Sequence, residues 1–234
     1  MAHYSQALAQ MPSAWTSTFR QFNMILIAWH RKRTHAVTEN MLHAIKLSNQ
    51  FWLRARQCGI RPGQFILSAS ILRQTMDLFE KQRVLPEELT SAARMQPRYA
   101  FRHRYRISTS AFGIGQEEGS SRTPFGLHCI AQKIGGGWPI GIVFKGRRPA
   151  GFIWEGQPTA SIVHRILWLE GLEPGYNRGG KVDSFRRYIY IHGFSDETTL
   201  GRPCSHGCIH MAANDLLPLF ERLPIGTLVW ISWK

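Results

Sequence analysis

Hydrophobic positions change their spacing once along this chain. From residue 1 to about residue 96 they recur at three- and four-residue intervals, the rhythm of helices with one buried face. His35 to Gln57 carries Val37, Met41, Leu42, Ile45, Phe51, Trp52 and Leu53 in this way, and Gly59 is placed to stop that helix. Pro62-Gly63 then opens a second expected helix over Gln64 to Gln82, with Phe65, Ile66, Ser70, Leu72, Met76 and Phe79 available for burial. Pro86-Glu87-Glu88 has the makings of a third first turn, since proline suits the first helical position and carboxylates favour the positive end of the helix dipole.

The texture changes at Met95-Gln96-Pro97. Glycine and proline become frequent, and apolar runs shorten to strand length. Arg98 to Ser108 alternates, with Tyr99, Phe101, His103, Tyr105 and Ile107 on one face and Arg102, Arg104 and Arg106 on the other. Further strands are expected at Leu127 to Gln132, Ile140 to Lys145, Ile162 to Leu169, Arg187 to His192 and Thr227 to Trp233. One helix interrupts them, from around Ala213 to Leu223, with Asn214 as its expected cap and Leu216, Leu217, Leu219, Phe220 and Leu223 facing inward. The pattern divides the chain into a helical region, 1–96, and a mostly β domain, 97–234, built as a sandwich or partly closed barrel.

Composition adds a sign to this outline. Hydrophobic residues make up 44% and charged residues 19%, an ordinary globular balance, but the formal net charge is +14. The excess is even: 12 Lys/Arg stand against 5 Asp/Glu up to Pro97 and 17 against 10 beyond it, so each part carries +7. An even positive field suits a polyanionic or carboxylate-rich partner. Nucleic acid is disfavoured, because the aromatic residues of Arg98 to Ser108 lie on the face opposite the arginines and form no interleaved stacking platform. The four cysteines, Cys58, Cys129, Cys204 and Cys208, are scattered unlike a disulfide framework and read as reduced. The most apolar early run, Phe22 to Trp29, is followed rather than preceded by Arg31-Lys32-Arg33 and is too short to span a bilayer. The expectation is a chain with no integral membrane segment, located in the cytoplasm; a start further upstream would move it to the periplasm or cell envelope.

Chemistry concentrates in Pro203-Cys204-Ser205-His206-Gly207-Cys208-Ile209-His210-Met211. A cysteine nucleophile, a Cys/His metal site and a buried apolar turn with incidental thiols all fit such a stretch. Cys208 follows a glycine in a turn between strands, where nearby imidazoles favour the thiolate. His192 ends the run Tyr188-Ile189-Tyr190-Ile191 and is followed by Gly193, so its ring projects from a strand end. A cysteine with a histidine from a distant strand is the minimal activated-nucleophile pair, and Gly207 lets backbone amides approach a bound carbonyl as an oxyanion hole. Zinc held by Cys204, Cys208, His206, His210 or His192 is the rival reading, but C-x3-C with interleaved histidines is not a standard ligand spacing. Gly135-Gly136-Gly137 lacks the Lys-Ser/Thr continuation of a phosphate loop.

His192-Gly193, then Gly201 and Ser205-His206-Gly207-Cys208-Ile209-His210-Met211, resembles the signature of the L,D-transpeptidase (YkuD-type) catalytic domain: a His-Gly pair, a variable loop, then Ser/Thr-His-Gly-Cys, an aliphatic residue and usually Arg. Ser108-Thr109-Ser110, Thr123-Pro124-Phe125-Gly126 and Gly175 to Asp183 also look like family segments, so the resemblance covers about residues 98–234. It implies an α+β chain: a mostly-β sandwich catalytic domain preceded by an α-helical N-terminal region. It implies Cys208 as acylated nucleophile and His192 as general base and acid, with His206 beside them and Ser205, Gly207 and Gly193 shaping the site. The implied substrate is a peptidoglycan tetrapeptide stem, cut between the L-centre of its diamino acid and the terminal D-Ala, through a thioester resolved by an amine or, in L,D-carboxypeptidases of cell-wall recycling, by water. No metal or cofactor is implied. Arg178, Arg187, Arg202 and His210 are the substrate-binding candidates nearest the motifs. Three positions depart from the pattern: His210 where Arg is usual, Phe194 where a small hydroxyl residue is common, and Cys204. A non-catalytic domain that binds peptidoglycan peptides is the remaining alternative, and the retained Cys208 and His192 argue against it.

Overall fold

The computed structural model of the chain describes residues 45–83, 98–159 and 161–234. The expected helix at Pro86, the Phe22 to Trp29 run and the first part of the His35 to Gln57 helix lie outside the described residues. Helix α1 spans Asn49–Gln57 and is shorter than its apolar rhythm predicts, because the Ser48 hydroxyl accepts the Phe51 amide at 3.1 Å and sets the start there. The helix buries Phe51 and Ala55, and the Phe51 ring meets Trp230 edge-on at 6.3 Å.

The segment expected as a second helix, Gln64 to Gln82, is instead a β-hairpin of β1 (Phe65–Ser70) and β2 (Thr75–Lys81), paired Phe65 to Glu80 through Ser70 to Thr75. Two features hid it. Both faces of β1 are covered, so Ile66, Leu67 and Ala69 are all buried and the alternation that marks a half-exposed strand is lost. The reversal Ile71-Leu72-Arg73-Gln74 also contains no glycine, proline or asparagine. Gln74 adopts φ +50°, and its buried side-chain amide donates to the Ile71 carbonyl (2.6 Å) and Thr109 Oγ1 (2.7 Å) while accepting from the Thr109 amide (2.8 Å). A turn signed by long-range side-chain hydrogen bonds has no local sequence signature.

Eight more strands follow: β3 (Tyr99–Ser108), β4 (Gly126–Ile134), β5 (Ile142–Lys145), β6 (Arg148–Phe152), β7 (Val163–Gly171), β8 (Tyr190–Gly193), β9 (Ile209–Met211) and β10 (Leu228–Ser232). All ten form one sheet in the order β4-β10-β1-β2-β3-β9-β8-β7-β5-β6, and β4 also pairs with β7. Eight strands thereby close into a ring, with the β5–β6 hairpin attached to β7 through Val143 and Val163. The ladders are antiparallel except β1–β10 and β8–β9. The mostly β class expected for the domain holds, but its sheet begins at Phe65 rather than beyond Pro97, and it is one continuous sheet.

One face of this ring supplies the main core: Leu67, Met76, Leu78, Ile107, Ile130, Leu167, Leu169, Ile191, Ile209, Met211, Val229 and Ile231. Helix α2 (Ala213–Arg222) adds Leu216, Leu219 and Phe220, and Leu223 follows it. Each such side chain contributes about 1.5–3 kcal/mol by leaving water. The cap of α2 is Ala212, not Asn214, which sits inside the helix; the Glu197 carboxylate accepts the Ala213 amide at 2.7 Å in place of a local capping side chain. Pro218 falls in the second turn of this helix. The arginine stripe of β3 is a solvated face paired with β2: Arg104 grips Asp77 with two bonds of 2.6 and 2.8 Å, and Arg102 meets Glu80 at 2.9 Å. Among the described residues, no helix is long and apolar enough to cross a membrane.

Candidate active site

The site grows from the parallel β8–β9 ladder. Strand alternation sends Ile191, Ile209 and Met211 into the main core, so Tyr190, His192 and His210 point to the opposite face. There β5, β6 and β7 build a second apolar cluster of Ile142, Phe144, Ile166, Trp168 and Tyr190, and the half-buried Cys208 packs against it. His192 and His210 are in-register partners, and both are buried. Cys208 lies one position before the ladder, two residues from His210, and so shares the face of both histidines. Residues from two separated half-motifs are thus brought to one surface by a ladder three pairs long.

The approach to Cys208 is fixed by hydrogen bonds. The Cys204 and Ser205 amides both donate to the Thr109 carbonyl, at 2.9 and 3.0 Å, and the Ala111 amide donates to Ser205 O at 3.0 Å. Buried Ser205 closes the turn: its hydroxyl donates to Cys208 O at 2.6 Å and accepts the Gly207 amide at 3.2 Å. Gly207 has φ +120°, where only glycine is comfortable, and an added Cβ would lie 3.3 Å from Arg122 O. Thr123 Oγ1 donates to Gly207 O at 3.1 Å. Ser205 and Gly207 hold the turn that leads into Cys208, and the Gly207 amide is occupied by the Ser205 hydroxyl. Among the described residues, no intramolecular acceptor takes the Cys208 amide. Gly193 is required by packing, since a Cβ there would meet His164 Cδ2 at 2.5 Å and Val163 O at 2.6 Å.

The electrostatics describe a neutral resting pair. His192 Nδ1 lies 2.8 Å from its neighbour's carbonyl, Gly193 O. A carbonyl only accepts, so Nδ1 carries the proton and Nε2 keeps the basic lone pair. Burial holds this ring neutral, pushing its pKa down to about 4. Burial pushes the Cys208 thiol up to about 11, opposed by the Tyr190 amide and the Arg187 charge. The thiol donates to Tyr188 O at 3.4 Å, and among the described residues no hydrogen bond joins it to His192.

His210 has partners the sequence did not reveal. Its Nδ1 is 3.6 Å from Cys204 Sγ, its ring stacks on Phe194 at 4.3 Å, and it meets His192 edge-on at 4.8 Å. Burial first, then the nearby His192 and His206, push it down to about 3. Cys204 and Phe194, both departures from the resembled pattern, thus pack on the third departure. His206 is exposed and leans on Phe112, with ring centroids 5.2 Å apart. His206 thus points away from the other ligands of the rival zinc reading, and among the described residues no three His, Cys, Asp or Glu side chains form a group that could hold a metal ion.

The arginine candidates separate. Arg187 is committed inward, donating to the carbonyls of Gly115 (3.2 Å), Gln116 (2.8 Å) and Arg122 (2.7 Å), so it staples the 115–122 loop rather than facing solvent. Arg178 pairs with Glu170 at 3.1 Å. Arg202 is exposed. The cation missed by sequence reasoning is Arg147, at the β5–β6 turn. Its guanidinium lies 4.8 Å from the Trp168 ring centroid and 4.9 Å from that of Tyr188, the residue whose carbonyl receives the Cys208 thiol. The two-residue Gly146-Arg147 link between Lys145 and Arg148 is short enough for a hairpin, but it carries no sign of which face Arg147 covers.

The family model for the YkuD L,D-transpeptidase catalytic domain matches residues 86–231. No curated protein matches the chain. Among solved structures, Bd1075 of Bdellovibrio bacteriovorus is 12% identical, over 73% of this chain and 48% of that one, with a TM-score of 0.46. An L,D-transpeptidase from Mycobacterium smegmatis is 12% identical over 72% and 58%, with a TM-score of 0.41. L,D-transpeptidase 3 from Mycobacterium tuberculosis, in complex with a faropenem-derived adduct, is 15% identical over 72% and 60%, also at 0.41. The chain spans about half to three-fifths of the length of these structures.

Proposed function

Because the chain belongs to the YkuD L,D-transpeptidase catalytic-domain family, we propose that Cys208 is acylated by peptidoglycan tetrapeptide stems at the bond between the diamino-acid L-centre and the terminal D-Ala. The observation that carries this reading is the β8–β9 register, which puts Cys208 on the face of His192 while Gly193 O holds the His192 proton on Nδ1.

The resting thiol and imidazole are both neutral, so proton transfer accompanies attack. The thiol proton passes to His192 Nε2 as sulfur adds to the carbonyl carbon; the C–O π electrons move onto oxygen, for which the Cys208 amide, without an intramolecular acceptor among the described residues, is the proposed donor. Collapse expels the D-Ala amine, which takes the proton back from His192 and leaves a thioester. An amine or water then adds with His192 again as base, returning the thiol. His210 enters as a neutral ring behind His192, because Cys204, Phe194 and burial leave no room for a charged one. The even positive charge of the chain suits a stem peptide bearing several carboxylates.

Incubation of the protein with a disaccharide-tetrapeptide, with and without a D-amino acid, followed by mass spectrometry tests the proposal. Loss of the terminal D-Ala is expected from the wild type and not from Cys208→Ala. Release without the added amine identifies water as acceptor, and D-amino-acid exchange or dimer formation identifies transfer. No product from a preparation whose Cys208 is shown by alkylation to be intact and accessible would overturn it.

A further inference from the structure

The β5–β6 turn holds a cation over the Trp168 and Tyr188 rings in a conformation that the backbone resists. Gly146 and Arg147 form a two-residue link between the paired Lys145 and Arg148, with φ of +55° and +66°. Positive φ at both central residues is the mirror-image turn that favours Asn-Gly or Gly-Gly, so a long cationic side chain is out of place there. Across from it, Tyr188 also has positive φ, at +57°. Two non-glycine residues in the left-handed region thus face each other, and strain of this kind gathers where function holds it.

What the strain positions is specific. The Arg147 guanidinium covers the Trp168 and Tyr188 rings and reaches the Tyr190 hydroxyl with one long contact of 3.5 Å. Cys208 packs against the apolar cluster that contains Trp168 and Tyr190, and it donates to Tyr188 O. The cation and the nucleophile therefore share one residue: Arg147 lies over the ring of Tyr188, and Cys208 donates to its carbonyl. Among the described residues, no carboxylate pairs with Arg147, in contrast to Arg102, Arg104 and Arg178. Arg187, the guanidinium whose charge acts on the thiol, is engaged by three loop carbonyls. Most of the five donors of Arg147 remain for a ligand, with the planar fork that fits a carboxylate in two bonds.

We propose that Arg147, held over Tyr188 and Trp168, binds a carboxylate of the acyl donor and so sets which donor reaches Cys208. The inference rests on the tetrapeptide reading above. Two carboxylates of such a donor present the same chemistry: the terminal one of the D-residue and the side-chain one of the diamino acid. One experiment separates them. The full chain carrying Cys208→Ala is titrated calorimetrically with the free-acid tetrapeptide, its C-terminal amide and its side-chain amide, alone and combined with Arg147→Asn or Arg147→Lys.

Arg147→Asn is expected to weaken free-acid binding by about ten- to a hundred-fold, the worth of a charged hydrogen bond. Arg147→Lys is expected to recover part of it. The amidated donor that binds equally well with and without Arg147→Asn identifies the carboxylate that Arg147 reads. Because asparagine suits the turn, Arg147→Asn is also expected to melt no lower than its parent, whereas a merely structural arginine would lower the melting temperature. Equal weakening of all three donors, or of none, overturns the inference and leaves the tetrapeptide reading standing. Failure of every donor to bind the Cys208→Ala protein overturns both.

Discussion

The imidazoles of His192 and His210 lie 4.8 Å apart, edge to face, because their residues pair in register across the parallel β8–β9 ladder. Two adjacent buried rings cannot both hold a proton, and protonating either costs folding energy. With pKa values pushed down to about 4 and about 3, and with buried His128 also down to about 4, the folded chain binds fewer protons than the unfolded chain between those values and about 6.5. Stability is therefore complete above about pH 6.5 and falls as pH drops through this window. At about pH 5 each such ring costs about 2 kcal/mol. Urea unfolding at about pH 7.5 and 5 is expected to show the loss, and His128→Gln, away from the site, to reduce it. A midpoint that does not move with pH would contradict the neutral-ring assignment.

Cys208 is expected to behave unlike a preformed thiolate. With the thiol pushed up to about 11, iodoacetamide labelling of this residue rises steadily with pH above neutrality. Mass-spectrometric labelling rates, resolved by peptide, give the profile. A plateau already reached at about pH 7 would show a resting thiolate and place the proton transfer before attack instead of with it.

The turn before the nucleophile is held by one hydroxyl. Ser205→Ala removes both the bond to Cys208 O and the acceptor of the Gly207 amide, and is expected to cost about 1–3 kcal/mol in denaturant unfolding. Gly207→Ala forces a side chain into φ +120° and costs about as much, with a larger loss of tetrapeptide turnover because Cys208 is displaced directly. Full activity in either variant would show that the turn tolerates another path.

Gln74 couples a distant turn to the same site. Its side chain holds the Thr109 amide and hydroxyl, and the Thr109 carbonyl in turn receives the Cys204 and Ser205 amides. Gln74→Ala leaves a buried amide without its partner, at about 1–3 kcal/mol, and is expected to lower turnover as well as stability. A loss of stability with turnover intact at low temperature would confine Gln74 to the hairpin.

The sequence by itself determined the parts of this protein that are written locally. Period-two alternation located β3, short apolar runs between turn residues located β4, β7 and β10 within a few residues, and an amphipathic run located α2. The glycine before Cys208 and the His192-Gly193 pair marked the two halves of the site, since a positive φ and a strand end each leave a signature in residue type. Tertiary structure decided everything that depends on partners far along the chain. The β1–β2 hairpin was invisible because its turn is tied by Gln74 to Thr109 and its strands are covered on both sides. His210 acquired its meaning only beside Cys204, Phe194 and His192. The arginines were equivalent on paper, and folding divided them: Arg187 is spent on loop carbonyls, Arg178 on Glu170, and Arg147, on a hairpin fixed by a single pairing to β7, is held over the Trp168 and Tyr188 rings. A charge has no local pattern that says where it will sit, because its position is set by the packing of the surfaces around it.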